Sequence, residues 1–569
     1  MNMSDPPSVE ATIVVSPEQP QVAAEVNDTP TLRCRRNSLV PAINRCLPDE
    51  LLAAIFEIAV TVPVTHSDPR DEEGIIPISH VCSRWRSVAL ANGPCWRILN
   101  MNRPDEAAAF AERSKNSDLR LYLTESGRTH NLPLPTALVS SVRDHASQVT
   151  TIDLFSVKSG LQEHVVLFDG ALLPRLQRLR LANEWQHSFR VETSMINQGH
   201  LCPKLHTVDL FNVEMNWESH IFSNLINLSL YVQGMPPRPT IPFALDQLLN
   251  ILNRCPRMER LSLSGLDLRE GAQRAPKVPL THLESIYVGD GELIRIKEIF
   301  TSIVMPSSSR VSFNVWAAEW DGREFFSEDV LASLSQLREL NTIIVTVQGS
   351  FTLRIDGFSG ARPRWLTSLG DSDDEDETER DYEPHDSHVQ FQISSPTFTN
   401  RANHPYTVAL APLTNLFHQT SSVRSLAFGA DFRVTPENTP DSTQAWTSVL
   451  RELPLLELLY VQGMTNDIAL TEVVRDLSAS LQNDNVHCLS LSRLTFEAFV
   501  VNDNMDMPNT FRDLVDGLLG REVHLQEVTL RLCFWPKEEH RRDAIKSSLK
   551  DVLYPTHLSV VGFADVESF

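Results

Sequence analysis

From about residue 118 the chain repeats one spacing of apolar residues, aliphatic-x-x-aliphatic-x-aliphatic. It fits Val149-Ile152-Leu154, Leu176-Leu179-Leu181, Leu205-Val208-Leu210, Leu225-Leu228-Leu230, Met258-Leu261-Leu263 and Leu283-Ile286-Val288. Later copies are Leu340-Ile343-Val345, Val423-Leu426-Phe428, Leu456-Leu459-Val461, Val486-Leu489-Leu491, Leu525-Val528-Leu530 and Leu558-Val561-Phe563. These short runs read as strands that alternate with helical runs. Chance alone would supply on the order of 15 such matches in a chain of this composition, so the spacing between copies carries the reading. Starts at 149, 176, 205, 225, 258 and 283 lie 27, 29, 20, 33 and 25 residues apart.

These intervals straddle leucine-rich-repeat periods. Four copies carry proline two residues ahead of the first aliphatic, at Pro174, Pro203, Pro256 and Pro454. Proline there ends a preceding helix and turns the chain into a strand. One such helix is visible as Phe243, Leu245, Leu248, Leu249, Ile251 and Leu252, running up to Cys255-Pro256. The predicted unit is helix, proline, strand. Each unit leaves an apolar face that only a stacked neighbour covers.

The middle departs from this rhythm. Val311, Phe313 and Val315 alternate as a strand. Ile343–Val347 and Phe351–Ile355 flank Gln348-Gly349-Ser350, a predicted hairpin. Residues 371–386 then hold ten carboxylates and one arginine, a net −9, before Val389-Gln390-Phe391-Gln392-Ile393 resumes strand alternation. Residues 357–388 are read as a disordered acidic loop between two strands. Ser372, set among acids, is a candidate phosphorylation site that would deepen the charge.

Ahead of residue 118 the period is helical. Residues 1–42 are rich in Pro, Ser, Glu and Val without periodicity and read as a disordered tail, with Arg33-Cys34-Arg35-Arg36 as a solvated basic cluster. Residues 43–101 read as a small helical domain. Pro48 suits a first helical turn, and Asp49 and Glu50 follow at the dipole end that favours acids. Leu51, Leu52, Ile55, Phe56 and Ala59 share one face. Pro63, Pro69, Gly74 and Pro77 interrupt the pattern. A second helix is predicted with Ile78, Val81, Cys82, Trp85, Val88 and Ala89 on one face, stopped by Asn92-Gly93-Pro94; Trp96 and Leu99 start a third apolar piece. A unit this small buries little apolar surface alone, so it should lean on a neighbour or partner.

Composition narrows the function. Apolar residues are 42% and charged residues 22%, ordinary for a globular protein. A net charge of −23 argues against a general nucleic-acid binder. The eight cysteines include no CxxC, which fits neither a zinc finger nor a disulfide framework. They read as small core residues in a reducing compartment, cytoplasm or nucleus. No apolar run reaches the roughly 18 residues of a membrane span, and the N-terminus lacks a secretory signal pattern.

Catalytic signatures are missing. Neither GxGxxG nor GxxxxGK[ST] occurs. Gly357-Phe358-Ser359-Gly360 is one residue short of a GxSxG elbow. His385 and His388, in the acidic stretch, read as solvated rather than as metal ligands. No cofactor and no catalytic residue is expected.

Residues 46–99 resemble an F-box in the elongated form common among fungal proteins. The matching residues are Leu47-Pro48 with Glu50-Leu51-Leu52 and Ile55-Phe56, then Val81-Cys82 with Trp85-Arg86 and Val88-Ala89, and finally Pro94 with Trp96. The stretch Thr61–Pro77 is longer than the compact family pattern. The rest of the chain is similar to the leucine-rich-repeat half of such proteins. The resemblance implies an α+β multidomain chain, with the F-box followed by an irregular α/β leucine-rich-repeat-like solenoid over 118–569. It also implies a non-catalytic substrate receptor of a Skp–cullin–F-box ubiquitin ligase. The Skp-type adaptor, and through it cullin, would be bound by Leu47, Pro48, Leu51, Leu52, Ile55, Phe56, Val81, Cys82 and Trp85, and the repeats would hold a substrate protein. The other reading is a repeat scaffold for protein–protein contacts, its F-box-like helices serving as a cap.

Overall fold

In a computed structural model of the chain, most repeat copies become neighbouring strands of one sheet. The structure describes residues 47–61, 75–124, 136–156, 168, 171–183, 189–190, 202–232, 242–269, 277–291, 293–316, 327–348, 352–359, 387–394, 410, 414–418, 420, 422–430, 442–463, 470–500, 507–519, 525–534, 544, 547–549 and 563–565. The tail 1–42, most of the Thr61–Pro77 insert, Ser372 and His385 lie outside them. The chain divides into two units, Met1–Trp96 and Arg97–Phe569.

The first unit is helical: α1 (Asp49–Thr61), α2 (Ile75–Ser79), α3 (Ser83–Ala91) and a short 3₁₀ turn, Gly93–Trp96. The Pro48 carbonyl accepts the first helical hydrogen bond of α1, from Leu52 N at 3.1 Å. The second predicted helix is split. Chain reversal at His80–Val81 separates α2 from α3, and Cys82 becomes the N-cap of α3, its Sγ accepting from Trp85 N at 3.4 Å. Val81 and Cys82 therefore do not share a helix face with Trp85. Pro77 sits inside the first turn of α2, where its missing N–H costs no hydrogen bond.

Among the described residues, the second unit is built on a 17-stranded sheet. Its first strands are β1 (Ile98–Asn100), β2 (Leu119–Thr124), β3 (Val149–Ser156), β4 (Arg178–Asn183), β5 (Thr207–Phe211), β6 (Asn227–Tyr231), β7 (Arg260–Ser264), β8 (Ser285–Gly291) and β9 (Arg310–Trp316). They follow one another in sequence order, all parallel. Next in the chain come β10 (Thr342–Gln348), β11 (Thr352–Phe358) and β12 (Val389–Ser394). Here the order inverts. β12 lies beside β9, β11 pairs antiparallel to both β12 and β10, and β10 runs parallel to the next strand. Parallel pairing then resumes through β13 (Ser425–Ala430), β14 (Leu458–Gly463), β15 (Arg493–Val500), β16 (Glu527–Phe534) and β17 (Phe563–Asp565). The sheet is open and mostly parallel, and the fold is mixed α/β.

The three aliphatics of a copy have distinct places. In Leu176-Leu179-Leu181 the first lies just ahead of β4 and the others point inward from it; all three are buried. Ahead of several strands a turn closes with an i→i+3 hydrogen bond: Leu176 N to Leu173 O, Leu205 N to Cys202 O and Met258 N to Cys255 O, each at 3.1 Å. Proline occupies the second position of these turns, where its fixed φ fits. Cys202, Cys255 and Cys488 share the buried first position with Leu173, Leu280 and Leu453. The Cys255 thiol donates to Phe222 O at 3.2 Å and its sulfur accepts from Leu225 N at 3.4 Å, tying one repeat to the next. At Gly265 φ is +67°, and a Cβ would stand 1.8 Å from Val232 O, so only glycine fits that corner.

Helices fill the connections: α4 (Pro104–Arg113), α5 (Thr136–Asp144), α6 (Leu245–Asn253), α7 (Leu293–Ser302), α8 (Glu328–Ser333), α9 (Thr414–His418), α10 (Thr443–Arg451), α11 (Leu470–Leu481) and α12 (Met507–Leu519). α6 buries Leu245, Leu248, Leu249, Ile251 and Leu252, the face read from the sequence. At the inversion, Phe313 and Phe391 stack with ring centroids 4.2 Å apart.

Four sequence readings change. The copy Val486-Leu489-Leu491 is out of register by five residues: Cys488–Leu491 is the turn, Leu489 is exposed, and Leu491-Leu494-Phe496 holds the buried places. The sheet begins at Ile98, within the span given to the helical domain (43–101) and ahead of 118, so Leu99 is a strand residue. Leu119, Leu121 and Leu123 form β2, which the repeat pattern passed over. The acidic loop is shorter than 357–388, because Gly357 and Phe358 end β11 and His388 N donates to Gly357 O at 2.9 Å. Leu558 and Val561 lie outside the described residues.

Candidate docking site

The helical unit hides one side of α1 and leaves another bare. Leu52 and Phe56, four residues apart, are both 1% exposed. Phe56 packs on Trp85 of α3, ring centroids 5.0 Å apart. The Asn92 side chain donates to Ala53 O at 3.1 Å, and Trp96 Nε1 donates to Ala89 O at 2.7 Å, so the indole's polar atom is satisfied in the core. Arg84 fastens the start of α1 to α3. It donates to Asp49 Oδ1 through Nε at 2.9 Å and Nη2 at 2.6 Å, and Nη2 also reaches Leu47 O at 2.6 Å.

The other side of α1 carries Leu51, Ile55 and Ile58, exposed by 52%, 48% and 63%. Their spacing of four and three residues lines them up on one face, with exposed Ala54 between. Val81 is exposed by 45% on the α2–α3 turn. Burying a side chain of this size is worth about 1.5–3 kcal/mol, so three on one face are costly to leave in water.

The residues named from the sequence therefore separate. Leu51, Ile55, Val81 and Pro48 are exposed, and Leu47 is half-buried. Leu52 and Phe56 are core and unavailable to a partner without unfolding α1. Cys82 and Trp85 are half-buried, one as a helix cap and the other against Phe56. Ile58 was missed, although it continues the heptad-like step Leu51-Ile55-Ile58. Arg84 was missed because its partners are 35 and 37 residues away in sequence.

Elsewhere, Ser359 Oγ and His388 Nδ1 are hydrogen-bonded at 2.8 Å. His388, read from the sequence as solvated, is half-buried and is held by Ser359 at the end of β11. Among the described residues no group of three His, Cys, Asp or Glu side chains is placed to hold a metal ion, and no helix is long and apolar enough to cross a membrane. No family model matches the chain, and no curated protein matches it in sequence.

Proposed function

We propose that the chain is a substrate-receptor subunit of a Skp–cullin–F-box ubiquitin ligase. The observation that carries this reading is the bare face Leu51-Ile55-Ile58 on a helix whose other face, Leu52 and Phe56, is packed. A helix arranged this way presents an apolar strip suited to the helices of a Skp-type adaptor. The parallel sheet with its repeated turns supports the companion reading, an irregular solenoid that holds a substrate protein. The mechanism is proximity: a substrate held near the ligase's ubiquitin-charged enzyme meets it at high effective concentration.

The test is capture of the purified full-length chain by immobilised Skp-type adaptor. Wild type is expected to bind. Leu51→Asp combined with Ile55→Asp should weaken binding by about 100-fold or more, since central apolar anchors each contribute about 2 kcal/mol or more. Leu47→Asp and Pro48→Ala test the helix start. If wild type shows no capture, the ligase reading fails and the repeat scaffold with a helical cap takes its place.

A further inference from the structure

On five adjacent strands, β6, β7, β8, β9 and β12, buried aliphatic or aromatic residues alternate with residues of the opposite side of the sheet. Register joins the residues of that second side in rows across the strands. One row is Tyr231–Ser264–Gly289–Asn314–Gln392. The row before it runs from Ser229 through Tyr287 to Gln390 and is likewise made of serine, tyrosine and glutamine. Trp316 follows Asn314 by two residues on the same side of β9 and is 55% exposed. Neither row holds an Asp, Glu, Lys, Arg or His, although 22% of the chain is charged. Charge returns at the borders, with Asp209 beside Ser229 and with Asp356 and Arg354 beside Gln390 and Gln392. At about 4.8 Å per strand the uncharged field is roughly 19 Å wide.

The chemistry of this field is specific. Asn314 and Gln392 are register neighbours, both half-buried, and neither side-chain amide makes a hydrogen bond to a described residue. On the other side of Asn314 stands Gly289, and the Tyr287 phenol lies where a side chain at 289 would be. A phenol, two amides and the Trp316 indole thus border one patch. Nearby hydroxyls are held in place: those of Tyr231 and Ser262 are hydrogen-bonded to each other, and Ser312 Oγ donates to Gln390 Oε1 at 3.2 Å. Exposed rings offer apolar faces, and amides both donate and accept. A charged ligand would meet no opposite charge in the two rows. Each of the five strands is paired on both sides, so no free backbone edge is left for an extended peptide to add a strand.

We propose that this face binds a neutral oligosaccharide, its C–H faces stacked on Trp316 and Tyr287 and its hydroxyls bonded to the amides of Asn314 and Gln392. A sugar hydroxyl donates and accepts at one atom, as an amide side chain does within one group, so each half-buried amide gains the partner it lacks. The ring faces of the sugar supply the apolar surface that the exposed indole would otherwise turn to water. The proposal concerns the sheet unit alone and stands whether or not α1 takes an adaptor.

The probes are linear tetrasaccharides of glucose, of mannose and of N-acetylglucosamine, titrated calorimetrically into the full-length chain, with a sulfated tetrasaccharide as the charged control. At least one neutral probe should bind, with an affinity that added salt leaves unchanged, and the sulfated one should not. Trp316→Ala should weaken that binding about five-fold or more, the scale of one aromatic contact. Asn314→Ala with Gln392→Ala should weaken it about ten-fold, the scale of two hydrogen bonds; unchanged circular dichroism shows that each variant folds. Leu51→Asp with Ile55→Asp, in the other unit, should bind the sugar as wild type does. No binding of any neutral probe would overturn the proposal, as would preference for the sulfated one or an affinity indifferent to Trp316→Ala.

Discussion

Two amphipathic helices of this chain meet opposite fates. α6 in the sheet unit buries Leu245, Leu248, Leu249, Ile251 and Leu252. α1 in the helical unit buries Leu52 and Phe56 and leaves Leu51, Ile55 and Ile58 in water. Both have enough apolar residues to cover more than one face. The difference is the surroundings. α6 lies against a sheet built from stacked repeats, each covering its neighbour. Among the described residues, α1 shares its unit with two further short helices and a 3₁₀ turn, too little to enclose every apolar side chain. The apolar face of α6 is thus covered within its own unit, and part of the apolar surface of α1 is left in water.

The sharpest way to break this contrast is to truncate one side chain from each group. Phe391→Ala, which removes a ring stacked on Phe313, should cost about 3–5 kcal/mol in chemical denaturation. Leu51→Ala should stay within about 0.5 kcal/mol. Similar losses at the two positions would mean that α1 is covered after all.

Thiol chemistry probes the repeat core next. Burial pushes the Cys202 and Cys255 thiols up to about 11, and Cys488 up to about 12, from the ordinary value of 9.0. Thiolate is the reactive form, so at pH 8 all three should label with iodoacetamide roughly 100-fold or more slower than an exposed cysteine, and at the ordinary rate once the chain is unfolded. Fast labelling of the native chain would contradict the buried turn position they share.

Leu51→Asp with Ile55→Asp then tests the bare face from the stability side. Two charges on an exposed surface should lower the melting free energy by less than about 1 kcal/mol, even if they abolish association. A loss comparable to Phe391→Ala would place these side chains in a core.

The smallest effect is electrostatic. Burial raises the pKa of Asp153 above 3.8, and the nearby Arg180 and Arg178 pull it down only in part. The folded chain therefore holds this proton more tightly than the unfolded one. Ionised Asp153 costs stability above its folded pKa, and the cost fades as pH falls toward 3.8. Asp153→Asn should be slightly stabilising at pH 7 and neutral below pH 3.8, measured by denaturation at the two pH values. Destabilisation at pH 7 would show that the Arg180 contact outweighs burial.

Much of the sheet unit could be read from residue order. The aliphatic triplets mark β3 to β8 because each needs the same three inward positions. Proline marks the turns because only the second turn position tolerates its φ. The slip at Val486-Leu489-Leu491 shows the limit. Triplet spacing fits two registers there, and the choice fell to Cys488, which buries against the Leu450 carbonyl at 3.2 Å. β2 was passed over because its strict alternation lacks the earlier aliphatic. The candidate site was half legible: Leu51 and Ile55 share a periodic apolar helix with Leu52 and Phe56, and periodicity cannot say which of two adjacent faces is covered.

By itself the sequence determined the local elements, since period, proline and the acid-rich first turn of α1 act within a few residues. It also determined that the front of the chain is helical and the rest is a succession of strands. Tertiary structure alone decided the inversion at β10–β12, where a hairpin returns between strands far apart in sequence. Packing decided which face of α1 remained bare. Each of these depends on which distant segments share a surface, and no local propensity encodes that.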